Sequence, residues 1–172
     1  KLIVPEINAN VLEKDDMIIA NPNCSTIQMV VALGPLHNKY NIKRLVISTY
    51  QSVSGTGKDA VDQLNKETNE DFTEKVYPYQ IYQNLLPHCD VFEEDGYTKE
   101  EIKLMKETRK ILDDDSIKIT STAVRVPIEK CHGESINLEF YNEFELEDIL
   151  ETLRSSPGLQ VMDDVNNNLY PM

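Results

Sequence analysis

Residues 134–141 constrain the fold of this chain most, because their sequence, ESINLEFY, alternates between polar and apolar side chains. Such alternation predicts a β-strand with one buried face, which here would carry Ile136, Leu138 and Phe140. A half-buried strand needs neighbouring strands and a layer of helices to cover its apolar side. The remaining segments are therefore expected to provide both.

Further strands are predicted from composition. Residues 43–50 (KRLVISTY) and 117–123 (IKITSTA) are rich in β-branched residues, and shorter strands are predicted at residues 16–20 and 159–162. Residues 73–96, with many tyrosines and prolines, predict a long irregular connection. The order of elements favours an α+β fold with a mixed, largely antiparallel sheet and helices packed on one face. The other face of the sheet would remain for a partner subunit.

The helices are indicated by caps and by apolar spacing. Thr98 and Glu101 form a capping box that opens the clearest helix, which is expected to run to about residue 113. Other helices are predicted at residues 26–40, 58–72 and 145–154. The Gly34-Pro35 pair predicts a kink in the first of these.

Composition excludes several classes of function. The net charge is −13 and the basic residues do not cluster, which argues against a nucleic-acid surface or an anionic membrane. Three widely spaced cysteines argue against a disulfide framework and favour a reducing compartment, so a cytoplasmic location is expected. No apolar run approaches the roughly 18 residues of a spanning helix, and residues 1–5 lack the layout of a signal peptide. Because the chain begins without methionine on an apolar segment, it is expected to be a piece of a longer protein.

The stretch NPNCST at residues 21–26 places Cys24 between an apolar run and a helix. Pro22 favours an extended backbone before it, and Asn23 or Ser25 can cap the helix. A thiol in the first turn of a helix faces unpaired N–H groups and the positive end of the helix dipole, and both favour the thiolate. Cys24 is therefore a candidate nucleophile, with a buried structural cysteine as the alternative.

Three other polar clusters support weaker predictions. Neighbouring Cys and His residues at 88–89 and 131–132 suggest a zinc site, but ligand spacings of the C-x-x-C or H-x-x-x-H type are absent, so no metal is expected. The SGTG sequence at residues 54–57 suits a close approach to phosphate, although a lone G-x-G is more often only a turn. Glu100 and Lys103 share one helix face, where a surface ion pair is the alternative to a site.

Several motifs in order resemble the aspartate-semialdehyde dehydrogenase family. They are NPNCST at 21–26, STYQ at 48–51, SGTG at 54–57, ETRKIL at 107–112, RVPI at 125–128 and HGES at 132–135. The resemblance covers nearly the whole chain and implies a catalytic domain like that of glyceraldehyde-3-phosphate dehydrogenase. It implies that residues 1–172 are the catalytic and dimerisation domain, and that the family's N-terminal Rossmann domain and C-terminal segment are absent from this chain.

The resemblance also implies roles for single residues. It makes Cys24 the nucleophile, His132 the acid/base and Gln51 the residue that orients the substrate and its thiohemiacetal. It implies that Arg125 holds the substrate carboxylate, that Glu100 meets the amino group, and that Lys103 and Asn23 bind phosphate. Ser54, Gly55, Thr56 and Gly57 would contact the cofactor.

The implied reaction is the NADP-dependent reductive dephosphorylation of aspartyl phosphate to aspartate semialdehyde, and its reverse, through a cysteine thioester. This places the enzyme in the biosynthesis of lysine, threonine and methionine, as a homodimer or homotetramer without nucleic-acid or membrane partners. The isolated domain is expected to be inactive. The family commonly has G-H-S-E around the histidine, whereas residues 131–134 read C-H-G-E.

Three alternatives stay open. Acetylglutamyl-phosphate reductases resemble this sequence too, but they usually carry N-P-G-C, whereas Asn23 precedes the cysteine here. A cofactor-free thiol hydrolase or acyltransferase would also use Cys24 with His132. A module that serves only dimerisation is the third reading.

Overall fold

The computed structural model describes all 172 residues. The helices are α1 (Pro5–Asn8), α2 (Cys24–Tyr40), α3 (Lys58–Thr68), α4 (Lys99–Leu112) and α5 (Leu146–Ser155). The strands are β1 (Ile42–Gln51), β2 (Lys118–Arg125) and β3 (His132–Phe140), and short 3-10 turns occupy Ala9–Val11, Val53–Gly55 and Val165–Asn167. No helix is both long and apolar enough to span a membrane.

The three strands form one sheet in the order β2-β1-β3. Strand β1 pairs in parallel with β2 and antiparallel with β3. The predicted α+β class with a mixed sheet is therefore confirmed. The sheet is not largely antiparallel, as was predicted, because one of its two strand pairs is parallel and the other is antiparallel. The parallel pairing arises because residues 52–117 form a long crossover containing α3 and α4, which returns the chain in the direction of β1.

The core lies between one face of the sheet and the helices α2 and α4. Leu45 and Ile47 of β1 pack there with Met29 of α2 and Leu104 of α4. Strand β3 alternates between half-buried and exposed positions, and its half-buried apolar side chains pack on the same core, as predicted. The opposite face of the sheet has no helix on it, and there Tyr50 is 43% exposed.

Two of the predicted short strands are wrong. Of residues 16–20, only Ala20 makes a bridge, to Leu2, while Met17 and Ile18 are 93% and 75% exposed. Residues 159–162 are not a strand either. Residues 18–20 hydrogen-bond to residues 1–3, but neither segment joins the three-stranded sheet, so an apolar composition alone did not produce a strand.

A kink was predicted at Gly34-Pro35, but the pair does not interrupt α2, which is helical from Cys24 to Tyr40. Gly34 instead faces α1, where an added Cβ would come within 2.7 Å of Ile7 Cδ1. Packing of α1 on α2 thus accounts for the glycine. Helix α3 ends at Thr68, four residues earlier than predicted.

The long connection between α3 and α4 is irregular, as predicted, and side chains of α3 hold it in place. The Glu67 carboxylate accepts hydrogen bonds from the amides of Ile81 and Tyr82 at 2.9 and 2.8 Å. The Gln63 side-chain oxygen accepts two more backbone amides at 2.8 and 2.9 Å. These bonds satisfy backbone groups that have no partner strand, so the connection has a defined path past the end of the sheet.

Candidate active site

Three of the predicted site residues are neighbours at one end of the sheet. Gln51, the last residue of β1, lies opposite Arg125 of β2 on one side and opposite His132 of β3 on the other. The start of α2, with Cys24, approaches the same end. Together with parts of α4 and the long connection, they enclose a cavity of about 390 Å³. Its walls are formed by Asn23, Cys24, Gln51, Gly55, Thr56, Asp90, Glu100, Lys103 and Arg125.

The structure brings Cys24 and His132 into contact although they are 108 positions apart. Cys24 is the first residue of α2 and its thiol is exposed. Its Sγ lies 3.3 Å from His132 Nε2, within hydrogen-bonding distance for sulfur. A thiol at a helix start beside an imidazole is the arrangement that activates cysteine nucleophiles.

The other ring nitrogen of His132 has two backbone partners. The amide of Ser52 donates to Nδ1 at 3.0 Å, and the carbonyl oxygen of Cys131 lies 2.9 Å from the same atom. A neutral imidazole carries its proton on only one nitrogen. Because Nδ1 has both a donor and an acceptor beside it, the ring keeps a hydrogen bond whichever nitrogen is protonated, which suits a group that exchanges a proton at Nε2.

Asn23, rather than Ser25, caps the helix that carries the thiol. Its Oδ1 accepts hydrogen bonds from the amides of Ser25 and Thr26 at 3.0 and 3.2 Å, and its Nδ2 donates to Glu100 at 2.8 Å. Its backbone amide donates to Glu107 Oε2 at 2.7 Å. The turn before Cys24 is therefore held by two carboxylates of α4.

Glu107 was missed by the sequence reasoning, although it stands in the ETRKIL motif. It lies seven positions after Glu100, so both side chains project from the same face of α4. The seven-residue spacing from Glu100 was the feature of the sequence that could have indicated Glu107 as a site residue.

Glu100 and Gln51 form a buried pair at the floor of the cavity. Glu100 is 8% exposed and Gln51 is 1% exposed. Gln51 Nε2 donates to Thr49 Oγ1 and to Glu100 Oε1, both at 3.1 Å. The surface ion pair considered for Glu100 and Lys103 is absent, because Lys103 instead contacts Asp90 at 3.1 Å.

Arg125 is buried at the cavity wall and is only 5% exposed. Its Nη1 donates to the carbonyl of Ser52 at 2.7 Å, whereas its Nε is buried without a partner. Its backbone is fixed by a two-way bridge with Leu86 of the long connection. The guanidinium thus has a defined position and unused donors.

The Ser54–Gly57 segment lies beside both Arg125 and His132. A Cβ added to Gly55 would come within 2.8 Å of Arg125 Nη1 and 3.5 Å of His132 Cε1. Gly57 has a φ of 123°, a conformation that L side chains rarely adopt. Gly57 is therefore favoured by its turn conformation, whereas a side chain at Gly55 would have to displace the Arg125 guanidinium.

Burial raises the pKa of two further groups near the site. Burial raises the pKa of the Cys89 thiol to about 11, which makes it a structural cysteine. Burial raises the pKa of Glu134 from 4.5 to about 7, while the amide of Gln28 and the charge of His132 oppose the shift. The sequence motifs predicted no role for Glu134. No group of three His, Cys, Asp or Glu side chains is arranged to hold a metal ion.

Comparison with known proteins extends these observations. The family model described as semialdehyde dehydrogenase, dimerisation domain, matches residues 33–172. An aspartate-semialdehyde dehydrogenase of Aquifex aeolicus is 50% identical over 99% of this chain and 53% of that relative, and one of Legionella pneumophila is 48% identical over 90% and 46%. The chain spans about half the length of the curated relatives it matches.

Solved structures show the same relationship. Aspartate semialdehyde dehydrogenase II of Vibrio cholerae, complexed with ASA, superposes with a TM-score of 0.87 at 40% identity, over 92% of this chain and 49% of that one. The enzyme of Candida albicans, with NADP, superposes with a TM-score of 0.62 at 26% identity, over 90% and 44%. The ordered motifs, the fold and these matches agree, and the chain belongs to the semialdehyde dehydrogenase family, matching the model of its dimerisation domain.

Proposed function

We propose that this chain is the catalytic half of an enzyme that interconverts aspartyl phosphate and aspartate semialdehyde with NADP. The observation that carries the proposal is the 3.3 Å contact between Cys24 Sγ and His132 Nε2, beside a cavity that also holds Arg125 and Lys103. Relatives named aspartate-semialdehyde dehydrogenase support it. Residues 1–172 would act as the catalytic and dimerisation domain, and a Rossmann domain and a C-terminal segment would complete the active protein in the cytoplasm.

The cavity offers partners for each charged group of the substrate. Arg125 is held by Ser52, so its unused N–H donors are preorganised for the planar carboxylate. Glu100 Oε1 already accepts two amides, which leaves Oε2 for the substrate ammonium. Lys103, with Asn23, faces the cavity as the partner of the phosphate.

Cys24 would perform the covalent chemistry. In the reductive direction its thiolate attacks the acyl carbon of aspartyl phosphate, the S–C bond forms, and the C–O bond to phosphate breaks, so phosphate leaves with the electron pair. The product is a thioester on Sγ. The backbone amide of Cys24, at the start of α2, is positioned to stabilise the oxyanion of the tetrahedral adduct.

His132 would move the proton. In the oxidative direction Sγ adds to the aldehyde carbon, and Nε2 takes the proton of the resulting hydroxyl as the thioester forms. In the reductive direction Nε2 returns that proton. Gln51, fixed by Thr49 and Glu100, orients the adduct at the floor of the cavity.

The residues near His132 fit a nicotinamide cofactor. NADP would supply the hydride acceptor and, as NADPH, the donor for the interconversion of thioester and aldehyde. Gly55 packs closely beside His132, where an added Cβ would come within 3.5 Å of Cε1, so Ser54, Gly55, Thr56 and Gly57 would contact the cofactor next to the acid/base.

Asn23 favours this function over acetylglutamyl-phosphate reduction. Its side chain caps α2 and donates to Glu100, which the glycine of an N-P-G-C motif could not do. The uncovered face of the sheet, where Tyr50 is 43% exposed, is proposed as the face for a second copy of the chain in a homodimer. Light scattering that gives the mass of one chain would contradict that assembly.

The test of the function uses the longer enzyme that contains this chain. Cys24→Ala should abolish the formation of aspartate semialdehyde, since no thioester can form. His132→Asn should lower kcat by about 10²–10⁴-fold, the usual contribution of a general acid/base. The 172-residue chain alone should form no NADPH from aldehyde and phosphate. Near-native turnover of either variant would refute the mechanism.

A further inference from the structure

Lys103 is already paired in the free protein. Its Nζ lies 3.1 Å from Asp90 Oδ2, and the two side chains are 38% and 34% exposed. Both residues line the cavity that contains Cys24. An anion that binds Lys103 must therefore share the ammonium group with Asp90 or displace it.

Asp90 is held in place by its own backbone. It has a φ of 68°, in the left-handed region that non-glycine residues seldom adopt, and its Oδ1 accepts the amide of Val91 at 2.9 Å. Two residues earlier the connection carries His88, and Leu86 forms the bridge to Arg125. The carboxylate is thus presented to the cavity by a fixed turn.

The other acids near Lys103 are occupied elsewhere. Glu100 accepts the side-chain amides of Asn23 and Gln51, and Glu107 accepts the backbone amide of Asn23. Asp90 is the carboxylate that hydrogen-bonds the Lys103 ammonium group. With Asp90 and Glu100 balancing Lys103 and Arg125, the formal charges of the cavity wall sum to zero.

We propose that Asp90 sets the affinity of the phosphate subsite by competing with the phosphoryl group for Lys103. The competition keeps Lys103 from holding free phosphate tightly, while a substrate anchored by Arg125 and Glu100 can still displace Asp90. This inference rests on the proposed function, which makes Lys103 the phosphate ligand. Both partners stay charged near neutral pH, because their pairing raises the pKa of Lys103 and lowers that of Asp90.

The test is a titration of inorganic phosphate into the 172-residue chain at neutral pH, followed by 31P NMR. Asp90→Asn should tighten phosphate binding by about fivefold, the upper range for releasing a partly exposed ion pair. Asparagine tolerates the left-handed backbone and keeps the Oδ1 acceptor, so the turn is preserved. Glu94→Gln is the matched control, since it removes an exposed carboxylate from the same connection and should change the affinity by less than about 1.5-fold.

Lys103→Met separates the two proposals. If Asp90→Asn binds phosphate no more tightly than the parent chain while Lys103→Met loses binding, the competition is refuted and the phosphate role of Lys103 stands. If Lys103→Met binds phosphate as well as the parent chain does, the proposed role of Lys103 as the phosphate ligand is refuted as well. A purely structural function for Asp90 would lower the affinity of Asp90→Asn, opposite to the expected gain.

Discussion

Replacing Glu134 by glutamine should stabilise the chain at alkaline pH, because the buried carboxylate costs stability once it ionises. Glu134 projects from β3 on the same side as His132, and its Oε1 is buried without a hydrogen-bond partner. Burial raises its pKa from 4.5 to about 7. Between pH 4.5 and about 7, Glu134 is therefore protonated in the folded chain and ionised in the unfolded chain.

The sign follows from proton linkage. Between pH 4.5 and about 7 the folded state binds more protons at Glu134 than the unfolded state does, so the free energy of unfolding falls as the pH rises. At 1.36 kcal/mol per pH unit the difference between the two pKa values corresponds to roughly 3 kcal/mol. Glu134 is only partly buried, so solvent screening reduces the expected cost to about 2 kcal/mol above pH 7.

Urea unfolding followed by circular dichroism measures this directly. Glu134→Gln should raise the free energy of unfolding by about 2 kcal/mol at pH 8 and by less than about 1 kcal/mol at pH 5, at one protein concentration. Glu143→Gln, at an exposed position just beyond β3, should change neither value. Equal stability of Glu134→Gln and the parent chain at pH 8 would refute the reasoning, as would the same gain at both pH values.

Two further outcomes are expected from the site. Iodoacetamide should alkylate Cys24 in the native chain and leave Cys89 unmodified until urea is added. Cys89 is protected because it is 1% exposed and burial raises its pKa to about 11. Mass spectrometry that finds Cys89 modified before Cys24 would contradict this prediction. Gly55→Ala should raise KM in the longer enzyme by about tenfold, since the new Cβ would come within 2.8 Å of Arg125 Nη1. An unchanged KM would contradict this prediction and show that the Arg125 side chain shifts freely.

Local patterns predicted the elements that carry their own signals. The capping box at Thr98 and Glu101 forms as expected, with the Thr98 amide donating to Glu101 at 2.7 Å. The alternation of residues 134–141 correctly assigned the inward face of β3. The strand predicted at residues 16–20 is wrong, because strand formation depends on pairing with other strands, which composition does not reveal.

For the site, the sequence could nominate residues but not their partners. The NPNCST motif identified Cys24 and the resemblance identified His132. Asp90 carried no local pattern that marks a site, and for Glu107 the sequence offered only its spacing from Glu100 on α4. Both become visible only when the long connection and α4 are packed against the start of α2. Their contacts, Asp90 with Lys103 and Glu107 with the Asn23 amide, join segments far apart in the chain.

The sequence by itself determined a helix just after Cys24, predicted at residues 26–40, and an alternating strand just after His132, predicted at residues 134–141. The structure starts these elements at Cys24 and His132 themselves. Only the tertiary structure decided that these groups meet, because the register of β1 with β2 and β3 aligns Gln51 with Arg125 and His132. Register depends on which side chains share the core, a property of all the strands at once. The same packing decided that Lys103 is paired with Asp90 and that Glu134 is half-buried.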